Sequence, residues 1–287
     1  MKRILIAGST GYLGGYILKE LIRHNYFIET IVRKPEKLDA SVRENEAVNV
    51  IKAEVTKPGS LTDCCTGIDT VISTVGITRQ KDGLTYMDVD YQANVNLLNE
   101  ALKAGVRKFI YVSVFKGDTF RYLKIMEAKE KFVDLLKTSG IDYTIIRPTG
   151  YYSDMGDFLD MAKKGKVYLF GDGEYKMNPI DGEDLAKVCV EAINVPDKEI
   201  NIGGPEVLTQ NEIATLALNA WSKKVKIAHF PDWIRKFTIW IFRTFTSSKT
   251  YGPIEFFLTV LATDAIAPQY GQIKLETFFN NRVKTSD

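Results

Sequence analysis

The chain has 287 residues, enough to bury a large core in one large domain or one and a half. Its net charge is +2, with 38 lysines and arginines spread along the chain and offset by 36 acids, a balance that implies no nucleic-acid surface. Three cysteines in no metal spacing (Cys64, Cys65 and Cys189) and only two histidines, His24 and His229, leave little from which to build a metal centre or a histidine-based nucleophile. With no signal peptide at the start, reduced thiols and a cytoplasmic setting are expected.

The chain opens on an apolar run, Ile4 to Ala7, that enters Gly8-Ser9-Thr10-Gly11-Tyr12-Leu13-Gly14, after which Ile17, Leu18, Leu21 and Ile22 recur with helical spacing. This reads as strand, glycine turn and helix. A pyrophosphate reaches backbone N–H groups at a helix N-terminus only where no Cβ intervenes. Gly8 suits the tight turn, Gly11 admits the phosphates, Gly14 lets the helix lie close to the strand, and residues 8–14 together form the expected pyrophosphate cradle. His24 closes the helix as a C-terminal cap.

The second strand, over 27–32, exits into Arg33 and Lys34 where an NAD site would place an acid. A guanidinium can grip a 2′-phosphate in a fork of hydrogen bonds, so Arg33, aided by Lys34 or Lys37, points to NADP, with NAD the less favoured cofactor. The alternative is that both are solvated loop residues. Glu29 lies too early in the strand to be the missing acid.

Strands and helices then alternate: a strand over 48–53, a short helix near 58–65, a strand over 69–75, a helix over 88–104 with Val89, Ala93, Leu97, Leu98 and Ala101 on one face, a strand over 107–113, a helix over 120–138 and a strand over 143–147 stopped by Pro148. The pattern predicts an α/β fold with a doubly wound parallel sheet, an NAD(P)-binding Rossmann domain over 1–205 and a smaller substrate-binding or lid portion over 206–287.

After Tyr151 the alternation loosens. Met155, Phe158, Leu159 and Met161 suggest a helix that lines a pocket or packs as ordinary core, Gly171-Asp172-Gly173 a turn, and residues 184–193 a helix for which Asp181 is the N-cap, with a catalytic role the alternative. Residues 231–267 are rich in Trp, Ile and Phe with interspersed Arg235, Lys236, Arg243 and Lys249, yet neither apolar run there is long or uncharged enough to span a bilayer. Two readings are open for this segment: a helix packed as a lid or dimer contact, and a helix lying in a membrane interface as a peripheral contact.

The phrases GSTGYLGG at 8–15, VISTVG at 71–76, VNLLNEALKAGVRKFIYVSV at 95–114 and DYTIIRPTG at 142–150 resemble the short-chain dehydrogenase/reductase superfamily in its extended or atypical branch. YLFGDGEYKMNPIDGEDLA at 168–186, NIGGPEVLTQNEIA at 201–214 and the YG and KLETFF of 270–279 are similar to its NmrA-like and divinyl chlorophyllide reductase-like subgroup. The resemblance implies that Lys129 holds the nicotinamide ribose and that Ser113 orients substrate. The superfamily tyrosine, four positions before the lysine, is here Ile125. Tyr122, on the same helix face as Lys129, and Tyr151 and Tyr152, beyond the strand that ends at Arg147, are the candidates to replace it; a conjugated bond can also take its proton from solvent or from another acid. Lys129 and Ser113 have plainer readings, a solvated helix face and a satisfied strand end.

The expectation is therefore an NADPH-dependent reductase of a small apolar substrate with a C=C or C=O bond. Residues 8–14 cradle the pyrophosphate, Arg33 grips the 2′-phosphate, Glu54 and Val55 flank the adenine, and Thr74, Val75 and Gly76 line the cofactor's middle. The rival expectations are a non-catalytic NADP-binding sensor or assembly factor, and an auxiliary subunit of a membrane complex.

Overall fold

Ile4, Leu5, Ile6 and Ala7 expose no surface, the condition of a strand covered on both faces. The computed structural model, which describes residues 2–78 and 83–285, places them in the interior of a seven-stranded sheet. In chain order the elements are β1 (Arg3–Ala7), α1 (Tyr12–Arg23), β2 (Phe27–Val32), α2 (Ala40–Arg43), β3 (Val48–Lys52), β4 (Thr70–Ser73), α3 (Ala93–Lys103), β5 (Lys108–Val112), α4 (Lys124–Thr138) and β6 (Asp142–Pro148). There follow α5 (Gly156–Lys163), β7 (Val167–Phe170), β8 (Lys176–Met177), α6 (Gly182–Glu191), β9 (Glu199–Ile202), β10 (Leu208–Thr209), α7 (Gln210–Ala220), β11 (Ile227–Phe230), α8 (Asp232–Phe245), α9 (Ser248–Val260) and α10 (Leu275–Lys284).

The sheet runs β3-β2-β1-β4-β5-β6-β9, and every pairing from β1 to β6 is parallel. The doubly wound α/β architecture expected from the alternation is present. Chain order reverses between β1 and β4, so the loops beyond the carboxyl ends of these two neighbours diverge and leave a crevice, the usual ligand position in such sheets. Phe132 of α4 packs on Phe109 and Tyr111 of β5, with ring centroids at 5.8 and 4.7 Å, inside the core on one face of the sheet.

Several element boundaries differ from the sequence expectation. The helix expected over 88–104 begins as a π-helical segment, Met87–Gln92, before turning α-helical at Ala93. The helix expected over 120–138 starts only at Lys124, because Leu123 is extended (φ −80°, ψ 131°) with its side chain buried. The helix expected near 58–65 is one 3-10 turn, Pro58–Leu61. His24 does cap α1, its N–H donating to the carbonyl of Glu20.

Contacts divide the chain into two compact units, Met1–Arg147 with Leu185–Ile200, and Pro148–Asp184 with Asn201–Asp287. Residues 148–184, joined to the first domain in the sequence reading, thus group with the C-terminal residues rather than with the sheet. Within the second unit β7 pairs with β11 in parallel and β8 with β10 antiparallel. Buried Asn178 binds the backbone of Ala267 in both directions, at 2.9 and 3.1 Å, and the Asp184 carboxylate accepts from the N–H groups of Gln272 and Ile273 at 2.9 and 3.0 Å. Asp181 accepts from the N–H of Glu183 at 2.7 Å at the start of α6, as an N-cap does. Tyr152 is buried and donates to the carbonyl of Ile273 at 2.7 Å, which commits its hydroxyl to the fold.

Candidate dinucleotide site

The glycine turn follows β1 and is built by close approach. Gly8 has φ +96°, and a Cβ there would overlap the Thr74 side chain. A Cβ on Gly14 would overlap the Gly8 carbonyl and stand 2.7 Å from its carbon. The Gly11 N–H donates to the Gly8 carbonyl at 2.9 Å, closing the turn. No side chain caps α1 at Gly11 and no acid lies in its first turn, so the positive end of a 12-residue helix meets the turn without an anionic counterpart. These residues fit a dinucleotide pyrophosphate.

Within this cradle the residues divide by role. Thr10 and Gly11 are exposed, while Leu13 is buried and packs the core. Ser9 is buried too, and its hydroxyl shares a 2.5 Å hydrogen bond with that of Thr30, so only its backbone remains for a phosphate. Tyr12 is half-buried, edge-on to Tyr16 at 5.3 Å.

Arg33 and Lys34 are both exposed where the chain leaves β2. Val32 of β2 is in register with Lys52 of β3, which brings the exits to Arg33 and Glu54 side by side. Lys57, 2.7 Å away, holds the Glu54 carboxyl below the usual carboxylate range, and the Arg33 cation adds to that effect. Val55 presents its carbonyl to the Asn96 amide at 3.0 Å. Thr74 donates its backbone N–H to Ala7 at 3.0 Å, tying the loop after β4 to the end of β1. The Asn94 side chain, fully buried, accepts from the Ser73 hydroxyl at 2.5 Å and donates to the Val75 carbonyl at 3.1 Å, fixing the same loop from beneath.

Lys129 is buried on α4, and its ammonium lies 2.9 Å from the Asp90 carboxylate, whose side chain exposes no surface. Asp90 comes from the π-helical segment, a distortion often found at functional sites, and its other oxygen accepts from the Ile77 N–H at 3.2 Å. Burial pushes the Asp90 carboxyl up, and the Lys129 charge opposes that shift. Exposed Gly76 lies directly over the pair: a Cβ there would stand 2.6 Å from the carboxylate and 2.8 Å from the ammonium. The Lys129 ammonium also lies 5.7 Å from the Tyr111 ring. Burial pushes the Tyr111 phenol up to about 12, so it stays protonated at neutral pH.

The other expected site residues have the following surroundings. Ser113 is buried and donates to Glu130 at 3.0 Å; Glu130 is held by Arg147 through two bonds of 2.6 and 2.9 Å. Its hydroxyl is a member of that buried ion pair's network. Tyr122 precedes α4 and is 57% exposed beside Phe120, so it does not share a helix face with Lys129. Ile125, in the superfamily tyrosine's place, is buried. Tyr151 belongs to the second unit, where it is half-buried and its N–H donates to Asp154 at 3.2 Å.

Asp90 and Asn94 escaped the sequence reading. Their signal was present, since two polar residues four apart interrupt the stripe formed by Val89, Ala93 and Leu97, and a polar residue inside a buried stripe needs a partner.

A glycine turn meeting an uncapped helix at the reversal point of a parallel sheet defines a dinucleotide-binding Rossmann domain. The chain belongs to the NAD(P)H-binding family, whose model matches residues 8–196. It is 26% identical to a chloroplastic divinyl chlorophyllide a 8-vinyl-reductase of Arabidopsis thaliana over 316 residues, covering 96% of this chain and 75% of that one. It is 25% identical to the photosystem II assembly factor Ycf39 of a Synechocystis species, covering 96% and 86%. Among solved structures, a nucleoside-diphosphate-sugar epimerase from Staphylococcus aureus superposes with a TM-score of 0.75 at 20% identity, covering 98% and 100% of the two chains. An isoflavone reductase superposes with a TM-score of 0.75 at 19% identity, covering 98% and 99%. The fold is that of the atypical short-chain dehydrogenase/reductases, as the sequence motifs implied.

Proposed function

We propose that this protein is an NADPH-dependent reductase acting on an apolar substrate with a conjugated C=C or a C=O bond. The observation that carries the reading is the buried Lys129–Asp90 pair under Gly76. Lys129 has the register in which the superfamily holds the nicotinamide ribose, and exposed Gly76 approaches the pair as closely as it does because it carries no side chain. Arg33, exposed beside Glu54, supports NADP over NAD because its fork of donors matches a 2′-phosphate. Bound NADPH supplies the hydride. Ile125 has no proton to give and the Ser113 hydroxyl is engaged by Glu130, so the proton would come from solvent while Lys129 would hold the nicotinamide ribose. Similarity to a vinyl reductase supports a conjugated substrate.

A second reading, a non-catalytic NADP-binding assembly factor, is supported by the absent tyrosine and by the similarity to Ycf39. Transfer of deuterium from 4R- or 4S-labelled NADPH to enones, quinones or vinyl tetrapyrroles separates the two. Label in a product establishes the reductase, whereas tight NADPH binding with no transfer to any of them favours the assembly factor.

A further inference from the structure

In the second unit, no residue of α8 is buried. Trp233, Phe237, Trp240 and Phe245 are 64, 50, 55 and 73% exposed. They touch one another in sequence, with centroids 6.5, 5.7 and 6.4 Å apart, and so form one aromatic ridge along a helix about 21 Å long. The inner side of α8 is held to α9: Arg235 donates to the Leu258 carbonyl at 3.2 Å, and Arg243 lies 3.2 Å from buried Glu255. The ridge therefore faces outward by construction. Just before α8, Phe230 of β11 stacks on Tyr168 of β7 at 5.8 Å, and both rings are exposed.

On α8 the cations are matched, Arg235 and Lys236 by Asp232 and Arg243 by Glu255. The excess of positive charge lies beside it, in Lys223, Lys224 and Lys226 before β11 and in the three lysines of residues 161–171, a stretch with no acid. Lys163, Lys164, Lys166, Lys223, Lys224, Lys226 and Lys236 are all exposed. The N–H of Val167 bonds the Lys226 carbonyl, so Lys166 and Lys226 enter the β7–β11 pair together, and Lys166 lies 5.2 Å over the Tyr168 ring.

We propose that the outer face of α8, with the exposed end of the β7–β11 pair, seats on an anionic lipid surface. A convex ridge of Trp and Phe sinks into the boundary between headgroups and acyl chains, and the lysines beside it meet the headgroup phosphates. No helix among the described residues is long and apolar enough to cross a membrane, so the attachment is peripheral. A second copy of the chain is the poorer occupant, because a two-fold contact through this face would set two clusters of cations against each other. The proposal does not depend on the reductase reading.

The test is co-sedimentation of the full chain with vesicles of phosphatidylcholine alone and of phosphatidylcholine mixed with phosphatidylglycerol, followed also by tryptophan emission. Preferential binding to the mixed vesicles, a blue shift, and weakening by salt are expected. W233S/W240S, and separately K223Q/K224Q/K226Q, should each weaken binding about tenfold or more while thermal unfolding and NADPH affinity stay those of the parent. Equal binding to both vesicle types overturns the anionic assignment. Binding to neither, or binding unchanged in both variants, overturns the lipid surface. Concentration-dependent dimerisation abolished by W233S/W240S would give the face to a second copy instead.

Discussion

The Lys129 ammonium and the Asp90 carboxylate stand 2.9 Å apart with almost no exposed surface between them, so each is the condition for the other's charge. Removing Asp90 takes this counter-charge from a buried ammonium, and removing Lys129 takes it from a buried carboxylate.

Asp90→Asn should therefore destabilise the protein by about 3–5 kcal/mol, the usual cost of breaking a buried pair from one side. Denaturant unfolding measures it, and a change within about 0.5 kcal/mol would mean that Lys129 finds another partner. NADPH affinity should fall in the same variant, because the ammonium loses its fixed position.

Lys129→Ala leaves the Asp90 carboxyl buried without its counter-charge, and burial already pushes that group up. A carboxyl raised in the folded state contributes stability that is whole below the usual carboxylate range and is lost as pH rises through the raised value. The stability deficit of Lys129→Ala against the parent should thus be larger at neutral pH than under mildly acidic conditions. A deficit that does not vary with pH would show that the carboxyl is not driven to bind a proton.

Arg33→Ala should weaken NADPH by roughly 10- to 100-fold, the worth of a charge-assisted contact, and leave NADH nearly unchanged. Titration calorimetry with both nucleotides checks it. Equal losses would remove Arg33 from the 2′-phosphate.

Gly14 and Gly15 are adjacent in α1, yet only Gly14 is in a tight approach, since a Cβ on Gly15 would meet the Ser9 carbonyl at an ordinary 3.6 Å. Gly14→Ala should push α1 from the turn, lower stability and abolish dinucleotide binding. Gly15→Ala should be tolerated and gain up to about 1 kcal/mol from helix propensity. Similar behaviour of the two variants would contradict the packing.

Ser113→Ala removes one donor to Glu130 and leaves both Arg147 bonds in place. The expected cost is about 1 kcal/mol of stability, with turnover within a few-fold of the parent. A loss of turnover by orders of magnitude at unchanged stability would return Ser113 to the substrate.

Local chemistry determined much of this protein from its sequence. The apolar run of β1, the glycines that no Cβ could replace and the stripe of α1 each act over a few residues, so their order already wrote out a Rossmann strand, turn and helix. The cationic exit of β2 was legible for the same reason. The tertiary structure decided what depends on distant chain segments. Lys129 and Asp90 are 39 positions apart and meet only because a π-helical segment packs on α4; the Ser113 hydroxyl meets Glu130, which Arg147 holds; Tyr122 falls outside a helix whose start is set by the burial of Leu123. The same is true of α8, whose periodicity reads alike for a buried and an exposed helix. Exposure is a property of what the rest of the chain leaves uncovered, and only the folded chain could show that its aromatic side faces out.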